Sequence, residues 1–255
     1  MIRAENLKKT YGDKTVLALD LLEIPFGQCF GLVGNNGAGK TTFFSLLLDL
    51  IAPSEGQVTN QGVLIGESED WKSFTSAFLD ESFLISYLTP EEYFYFVGEL
   101  RGVSKQEVND FLLPFHDLFN GEILEQKKYI RDLSKGNQKK VGVVATLIGS
   151  PEVVVLDEPF ANLDPTTQFR LKAIFKKIAD EGKQTLLISS HDLMHTTEVC
   201  DRIVVLEKGK MMKDLETSPE TLKELSAFFS GLSDDLKVAD QEGLANSQVE
   251  NQEEE

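Results

Sequence analysis

The chain has 255 residues, of which 41% are hydrophobic and 26% charged, and its formal net charge is −17. This is the composition of a globular protein large enough to bury one substantial core. The acidic excess argues against a nucleic-acid binder, since such proteins neutralise phosphates with Lys and Arg. There is neither a signal-peptide apolar region nor an apolar run of the roughly 18 residues that span a bilayer, so we expect a cytoplasmic protein.

The N-terminal part is predicted to begin with two strands, 2–7 and 16–24, joined by a turn at Tyr11-Gly-Asp. Tyr11 has two interpretations: it packs on the turn, or it offers a platform on which a base stacks. Cys29 and Cys200 lie far apart in apolar patterns. Buried free thiols are therefore expected rather than a disulfide or a metal site.

Residues 34–42 read GNNGAGKTT, which fits the phosphate-binding pattern GxxxxGK[ST]. A short buried strand is predicted before it, over 28–33, and an apolar helix after it, over 41–48. The phosphates would lie at a helix N-terminus, where backbone amides and the helix dipole favour negative charge. A glycine-rich turn that fits by chance is the alternative. The predicted nucleotide-binding residues of this segment are Gly34, Asn35, Asn36, Gly37, Ala38, Gly39, Lys40, Thr41 and Thr42.

A turn at 53–56 and a return hairpin over 57–65 are predicted next, and then the composition becomes aromatic over 74–100. Thr89 is followed by Pro at the first helical position and by Glu92, a capping box that starts a helix. Helical patterns continue over 105–119. We interpret 78–134 as an inserted helical lobe whose aromatic residues are mostly core, while those around 78–96 can also receive a partner.

The second half returns to alternating helices and strands. We predict helices over 135–148 and 167–180 and strands over 153–156, 184–189 and 203–206. This alternation is typical of a mainly parallel sheet with helices on both faces. A final helix, capped at Ser218, is predicted to run to residue 229. The acidic segment after Gly231 is expected to be disordered.

Asp157 and Glu158 directly follow the apolar strand predicted over 153–156. Buried acids are costly unless they are compensated. A Mg²⁺ ion held by Asp157 would compensate for the burial of its charge, and this is the role of the acid that lies opposite a phosphate-binding loop. Glu158 would then lie near the γ-phosphate as a candidate general base. Strands also end in surface acids by chance. The assignment of Asp157 and Glu158 to a site therefore depends on the phosphate-binding loop upstream.

Residues 133–138, LSKGNQ, resemble the signature motif of ABC-type ATPases, usually LSGGQ. Tyr11 matches the adenine-stacking aromatic, 161–164 the D-loop, and 189–191 the switch histidine of that family. The resemblance covers residues 2 to about 215 and implies an α/β fold. That fold has a P-loop NTPase core with a mainly parallel sheet, an antiparallel N-terminal β part and an inserted helical subdomain. The implied domain is 1–232, with core 1–77 and 135–216, helical subdomain 78–134, C-terminal helix 217–232 and acidic tail 233–255.

The resemblance also implies site residues. ATP and Mg²⁺ are the implied cofactors, with Thr41, Asp157 and Glu81 as metal ligands and Glu158 and His191 as catalytic residues. Ser134 and Gly136 would contact the ATP of a second subunit, and Asp164 would communicate across that dimer. Glu81 stands where the family usually has Gln, and Lys135 and Asn137 also depart from LSGGQ. A carboxylate can ligate Mg²⁺ but cannot donate a hydrogen bond as an amide does.

His191 and His195, at i and i+4, resemble a two-histidine zinc helix, but no third ligand is evident. His195 is therefore interpreted as an ordinary helix residue.

The leading functional hypothesis is the ATP-hydrolysing subunit of an exporter. Its partners would be an integral membrane permease subunit and a second ATPase subunit, identical or different, and it would be peripheral on the cytoplasmic face of the membrane. One alternative keeps the ATPase but assigns it to a soluble or cell-envelope complex. A DNA-maintenance or ribosome-associated ATPase is disfavoured by the acidic balance and by the lack of long coiled coils or tandem domains. A regulatory subunit with weak turnover is disfavoured because Lys40, Glu158 and His191 are all present.

Overall fold

The computed structural model describes residues 1–231. Contacts divide the chain into two compact units, one comprising Met1–Glu216 and the other beginning at Thr217. All the residues of the candidate site described below belong to the first unit.

An antiparallel sheet begins the first unit, as the sequence predicts. β1 (Ile2–Tyr11) and β2 (Lys14–Ile24) form a hairpin in which Ile2 lies opposite Ile24 and Tyr11 opposite Lys14. Both strands are longer than predicted, because the ladder continues through the polar residues on either side of the turn. After β3 (Cys29–Val33), β4 (Glu55–Asn60) pairs with β1 and with the short β5 (Val63–Leu64), which confirms the return hairpin.

A second sheet has six strands, and the candidate site lies at the carboxyl ends of its central strands. Besides β3 it contains β6 (Thr75–Phe78), β7 (Val153–Leu156), β8 (Thr185–Ser190), β9 (Arg202–Glu207) and β10 (Lys210–Glu216). The strand order is β10-β9-β3-β8-β7-β6, and every neighbouring pair is parallel except β9 with β10. The predicted mainly parallel sheet is confirmed. The two edge strands, β6 and β10, were not predicted.

The main core lies between the two sheets. Helix α1 (Lys40–Leu47) contributes Phe43 and Phe44, both fully buried, to a cluster formed mainly by apolar residues of β1, β2 and β3. Burying one such side chain contributes about 1.5–3 kcal/mol. Because α1 is held on both sides, its N-terminus has a fixed position at the carboxyl end of β3.

The lobe between β6 and β7 is mainly helical. α2 (Pro90–Leu100) starts with the predicted capping box of Thr89 and Glu92, and α3 (Lys105–Leu112) starts with another at Ser104. The helical pattern predicted over 105–119 is interrupted by a 3-10 turn containing a proline, after which α4 (His116–Phe119) follows. Phe94 and Phe119 stack in the interior of the lobe, with ring centroids 5.9 Å apart. Phe78 is the last residue of β6, so its side chain belongs to the sheet layer.

Three further helices flank the parallel sheet: α5 (Lys135–Thr146), α6 (Pro165–Glu181) and α7 (Leu193–Val199). Cys29 and Cys200 are free and buried, as predicted. His195 is a buried residue of α7, with its ring packed on Phe160.

The unit that begins at Thr217 contains a helix over 221–231, preceded by Ser218, whose Oγ accepts a hydrogen bond from the Glu220 amide at 3.3 Å. The predicted acidic tail, 233–255, lies outside the described residues. Within residues 1–231, the helices are too short or too polar to cross a lipid bilayer.

Candidate functional site: a phosphate-binding cleft

The loop between β3 and α1 forms the floor of an open cleft of about 320 Å³. Its conformation requires glycine at two positions. Gly39, the N-cap residue of α1, has φ 110°, in the region that glycine adopts readily. A Cβ on Gly34 would lie 2.4 Å from the Leu206 carbonyl oxygen. The cleft is lined by Lys14, Val16, Asn36, Gly37, Ala38, Gly39, Lys40, Thr41, Thr42 and Glu158.

Lys40 places a buried cation at the mouth of this loop. Only 7% of its side chain is exposed. Its ammonium donates to the Gly34 carbonyl oxygen at 2.6 Å and lies 3.5 Å from that of Asn35. The same ammonium lies 3.4 Å from Glu158 Oε1. An anion on the loop would therefore meet the N-terminal amides of α1 and this positive charge together.

Asp157, at the end of β7, lies directly across from the first turn of α1. Thr41 Oγ1 donates to its Oδ2 at 2.5 Å, and Ser189 Oγ donates to its Oδ1. Burial raises the pKa of Asp157 above its usual value, although the hydrogen bonds from Ser189 and Thr41 oppose that shift. The carboxylate is thus desolvated and lacks a full counter-charge.

This pair of oxygen ligands fits Mg²⁺. A hydroxyl and a carboxylate are hard donors, and Mg²⁺ usually takes one or two protein ligands and completes its shell with water and phosphate oxygens. Within residues 1–231, no group of three or more His, Cys, Asp and Glu side chains is arranged to hold a metal ion. The fit therefore depends on a metal that arrives with phosphate ligands.

Glu158 lies between the loop and the end of β8. Its φ is 50°, an uncommon conformation for a non-glycine residue. Its Oε2 lies 2.8 Å from His191 Nδ1. Its Oε1 is buried and has no hydrogen-bond partner among the described residues, although Lys40 lies nearby. A carboxylate whose Oε1 accepts no hydrogen bond within residues 1–231 and lies beside the lysine of a phosphate-binding loop is suited to accept a proton from a water molecule.

The signature residues form a separate surface. Ser134 caps α5, and its Oγ accepts a hydrogen bond from the Asn137 amide at 3.2 Å. Ser134 and Asn137 line a hollow of about 290 Å³ that shares no lining residue with the phosphate-binding cleft. A Cβ added to Gly136 would make ordinary contacts, 3.6 Å from the Asn162 carbonyl oxygen and from Leu163 Cδ2.

Asp164 caps α6. The Thr167 amide donates to Asp164 Oδ1 at 3.0 Å, and the Thr167 hydroxyl also donates to this carboxylate. These hydrogen bonds hold the pKa of Asp164 below its usual value. Its carboxylate therefore stabilises the start of α6, whatever it does toward a second subunit.

Tyr11 and Glu81 are among the predicted site residues that do not line the cleft. Tyr11 is 55% exposed, with Lys9 Nζ 4.9 Å from its ring centroid, and it lies opposite Lys14, which does line the cleft. Glu81 begins a 3-10 turn directly after β6, and its Oε1 lies 3.7 Å from Lys139 Nζ. Tyr11 is thus beside the cleft, while Glu81 is paired with a lysine.

Two further side chains hold the acids in place: Ser189, which the resemblance includes only as part of the switch motif, and Lys139, which no motif includes. Ser189 donates to Asp157 and accepts a hydrogen bond from the Glu158 amide at 2.9 Å. Lys139 donates to the Glu158 carbonyl oxygen at 3.0 Å. No sequence signal separates Lys139 from the adjacent Lys140, because both are buried in α5 and only the structure shows what each contacts.

The comparisons with known proteins agree with this geometry. The profile of the family described as ABC transporter matches residues 20–161. An uncharacterized ABC transporter ATP-binding protein, YhaQ of Bacillus subtilis, is 35% identical over 211 residues, which are 82% of this chain and 69% of that protein. The bacitracin transport ATP-binding protein BcrA of Enterococcus faecalis is 33% identical over 220 residues, 86% of this chain and 70% of that protein.

A likeness in fold is found with the solved structure of the ATP-binding cassette MJ0796, described as a dimeric post-hydrolysis state bound to ADP and Pi. The TM-score is 0.75, the identity is 22%, and the match covers 86% of this chain and 99% of the other.

Proposed function

Because this chain belongs to the ABC transporter family, whose ATP-binding subunits hydrolyse ATP, we propose that it powers export through a separate membrane-spanning partner. The observation that carries the proposal is the position of Glu158, whose Oε1 lies 3.4 Å from the Lys40 ammonium and whose Oε2 lies 2.8 Å from His191 Nδ1. The name of BcrA, bacitracin transport ATP-binding protein, supports a role in transport.

In this proposal the phosphates of ATP bind the loop over 34–42, where Lys40 contacts the β- and γ-phosphates. Mg²⁺, held by Thr41 and Asp157, would neutralise charge on the transferred phosphoryl group. Glu158 accepts the proton of the attacking water, and His191 orients Glu158 and contacts the γ-phosphate. The base stacks on Tyr11, whose exposed ring is free to receive it.

We propose that two ATPase subunits pair so that the signature of one closes on the ATP of the other. The separate location of Ser134 supports this arrangement, since it lines a hollow that shares no lining residue with the cleft, and Gly136 lies in the first turn of the helix that Ser134 caps. Ser134 Oγ and the first amides of α5 can donate to a γ-phosphate. Asp164 would lie at the junction. Closure would exclude bulk water and complete the site before hydrolysis.

The partner surface proposed for the membrane subunit is an apolar groove of about 230 Å³ beside Glu81. Leu50 and Phe83, which line it, are 49% and 55% exposed. Trp71 and Leu79 form part of its wall. A short amphipathic helix is the ligand that such a groove accepts. The groove is lined by residues of β6 and of the segments on either side of it. Phe78 and Phe94, which were predicted to belong to the partner surface, are buried.

The experiment is affinity purification of the tagged chain from detergent-solubilised membranes, followed by mass spectrometry of the co-purifying proteins. We expect a stoichiometric polytopic protein. Phe83→Glu should lose that protein while retaining basal ATP hydrolysis. The matched control is Leu113→Glu, because Leu113 is 61% exposed and does not line the groove.

A second candidate function keeps the ATPase and replaces the permease by a soluble or cell-envelope complex. The same purification distinguishes the two. Active ATPase that brings down a soluble complex, or no membrane protein at all, would contradict the transport proposal and favour the second candidate.

A further inference from the structure

Lys139 occupies a position between the loop after β6 and the backbone of Glu158. Its side chain is only 8% exposed. The ammonium donates to the Glu158 carbonyl oxygen at 3.0 Å and lies 3.7 Å from Glu81 Oε1, whose side chain is 20% exposed. A buried ammonium with one charged partner and one main-chain acceptor is restricted in position, because leaving either partner would leave its charge uncompensated.

The packing of α5 holds Lys139 close to both Glu81 and Glu158. Gly142, one turn after Lys139, packs against the ring of Phe78, and a Cβ on Gly142 would come within 2.1 Å of that ring. The Asp157 amide in turn donates to the Phe78 carbonyl oxygen at 2.9 Å. The helix bearing Lys139, the strand leading to Glu81 and the strand leading to Glu158 are thereby held at close range.

Glu158 needs such support because its backbone is in the left-handed region, with φ 50°. A non-glycine residue in this sparsely populated region is strained and persists only when its surroundings hold it. Its amide is held by Ser189 Oγ at 2.9 Å. Its carbonyl oxygen accepts from Lys139 and from the Ala161 amide at 3.2 Å. Among the donors to this backbone within residues 1–231, Lys139 is thus the charged one.

We propose that Lys139 is a positioning residue that sets the backbone of Glu158, and that Glu81 sets the position of Lys139. This proposal rests on the proposed base role of Glu158 and adds a connection that the family resemblance does not supply. Glu81 lies two residues from Phe83 and Leu79, which line the apolar groove. In this chain the Glu–Lys pair replaces the usual amide of the loop.

The test compares Lys139→Met, Lys139→Arg, Glu81→Gln and the double variant Glu81→Gln/Lys139→Met in the full-length protein. Met has similar length and suits a buried site, so the fold is retained while the charge is lost. We expect Lys139→Met to lower kcat for ATP hydrolysis by about tenfold or more, since small misplacements of reacting groups reduce rates by such factors. KM for ATP should stay within about twofold, since substrate binding is unaffected. Lys139→Arg should retain most of the turnover.

A second readout does not depend on activity. Hydrogen exchange, followed by mass spectrometry of a peptide covering 157–164, should be faster in Lys139→Met by about threefold or more, because the Glu158 turn loses a donor. The matched control is Lys172→Met, which removes a partly buried lysine from its contact with Glu198 at 2.5 Å. Lys172→Met should leave kcat and the exchange of this peptide unchanged.

Glu81→Gln should slow hydrolysis in the wild-type background and have no further effect in Lys139→Met, since the two residues act in series. Additive effects would refute the connection between Glu81 and Lys139. Wild-type exchange together with wild-type kcat in Lys139→Met would overturn the positioning role, as would a raised KM with unchanged kcat. Wild-type turnover in Glu158→Gln would instead contradict the base role and leave the exchange result to decide the positioning role alone.

Discussion

Replacing Glu158 with Gln tests the proposed chemistry most directly, because the amide keeps the shape of the side chain and removes its basicity. In the structure, the carboxylate lies 2.8 Å from His191 Nδ1 and 3.4 Å from Lys40 Nζ. A positioned general base contributes about 10²–10⁴-fold to the rate. We expect Glu158→Gln to lose turnover by that factor, which corresponds to about 3–5 kcal/mol in the barrier.

Binding of ATP should survive this change. Lys40 loses a carboxylate neighbour but keeps its hydrogen bond to the Gly34 carbonyl oxygen at 2.6 Å. Removing a negative charge beside the phosphate-binding loop reduces repulsion toward a triphosphate, so affinity should be equal or higher. Closed dimers should accumulate with ATP, because the hydrolysis that would open them no longer occurs.

The assay pairs single-turnover phosphate release with the binding of a fluorescent ATP analogue and with size-exclusion chromatography in ATP. Glu198→Gln is the matched control, since Glu198 is also paired with a basic side chain, at 2.5 Å, but does not line the cleft. Wild-type phosphate release in Glu158→Gln would refute the general-base role. Loss of ATP affinity by the same factor as turnover would show instead that Glu158 serves binding.

Three further expectations concern other residues of the site. Asp157→Asn should weaken Mg²⁺-dependent ATP binding and yet raise thermal stability. Burial raises the pKa of Asp157, so the folded state binds this proton more tightly than the unfolded state does. The stability of the wild-type protein therefore falls as pH rises from the ordinary aspartate pKa through the raised one. Its advantage in melting temperature over wild type should therefore grow across that pH window; an advantage that shrinks would contradict this reasoning. Ser134→Asp should keep the cap on α5, hence the melting temperature, while repelling a γ-phosphate and abolishing ATP-dependent dimers in size-exclusion chromatography. Unchanged dimer formation would remove Ser134 from the proposed interface. Tyr11→Ala should weaken ATP binding by about 1–3 kcal/mol in calorimetry if the base stacks on the ring; equal affinity would mean that Tyr11 only packs beside Lys9.

The local sequence was sufficient to predict the elements that depend on interactions between residues close together in the chain. The glycines, Lys40 and Thr41 of 34–42 predict a strand, an anion-binding loop and a helix without reference to the rest of the chain. The Thr89 capping box likewise defines the start of α2. Alternation of helices and apolar strands is sufficient for a mainly parallel sheet, since such strands must be buried on both faces.

Tertiary structure alone decided the edge strands and the partners of the acids. β6 and β10 have weak strand patterns and exist because β7 and β9 offer unpaired backbone groups beside them. The resemblance placed Glu81 among the metal ligands. Its pairing with Lys139, which lies 58 positions away along the chain, and the contact of Lys139 with Glu158 depend on how α5 packs against Phe78. Sequence spacing carries no information about such contacts, because they arise only when distant elements pack together.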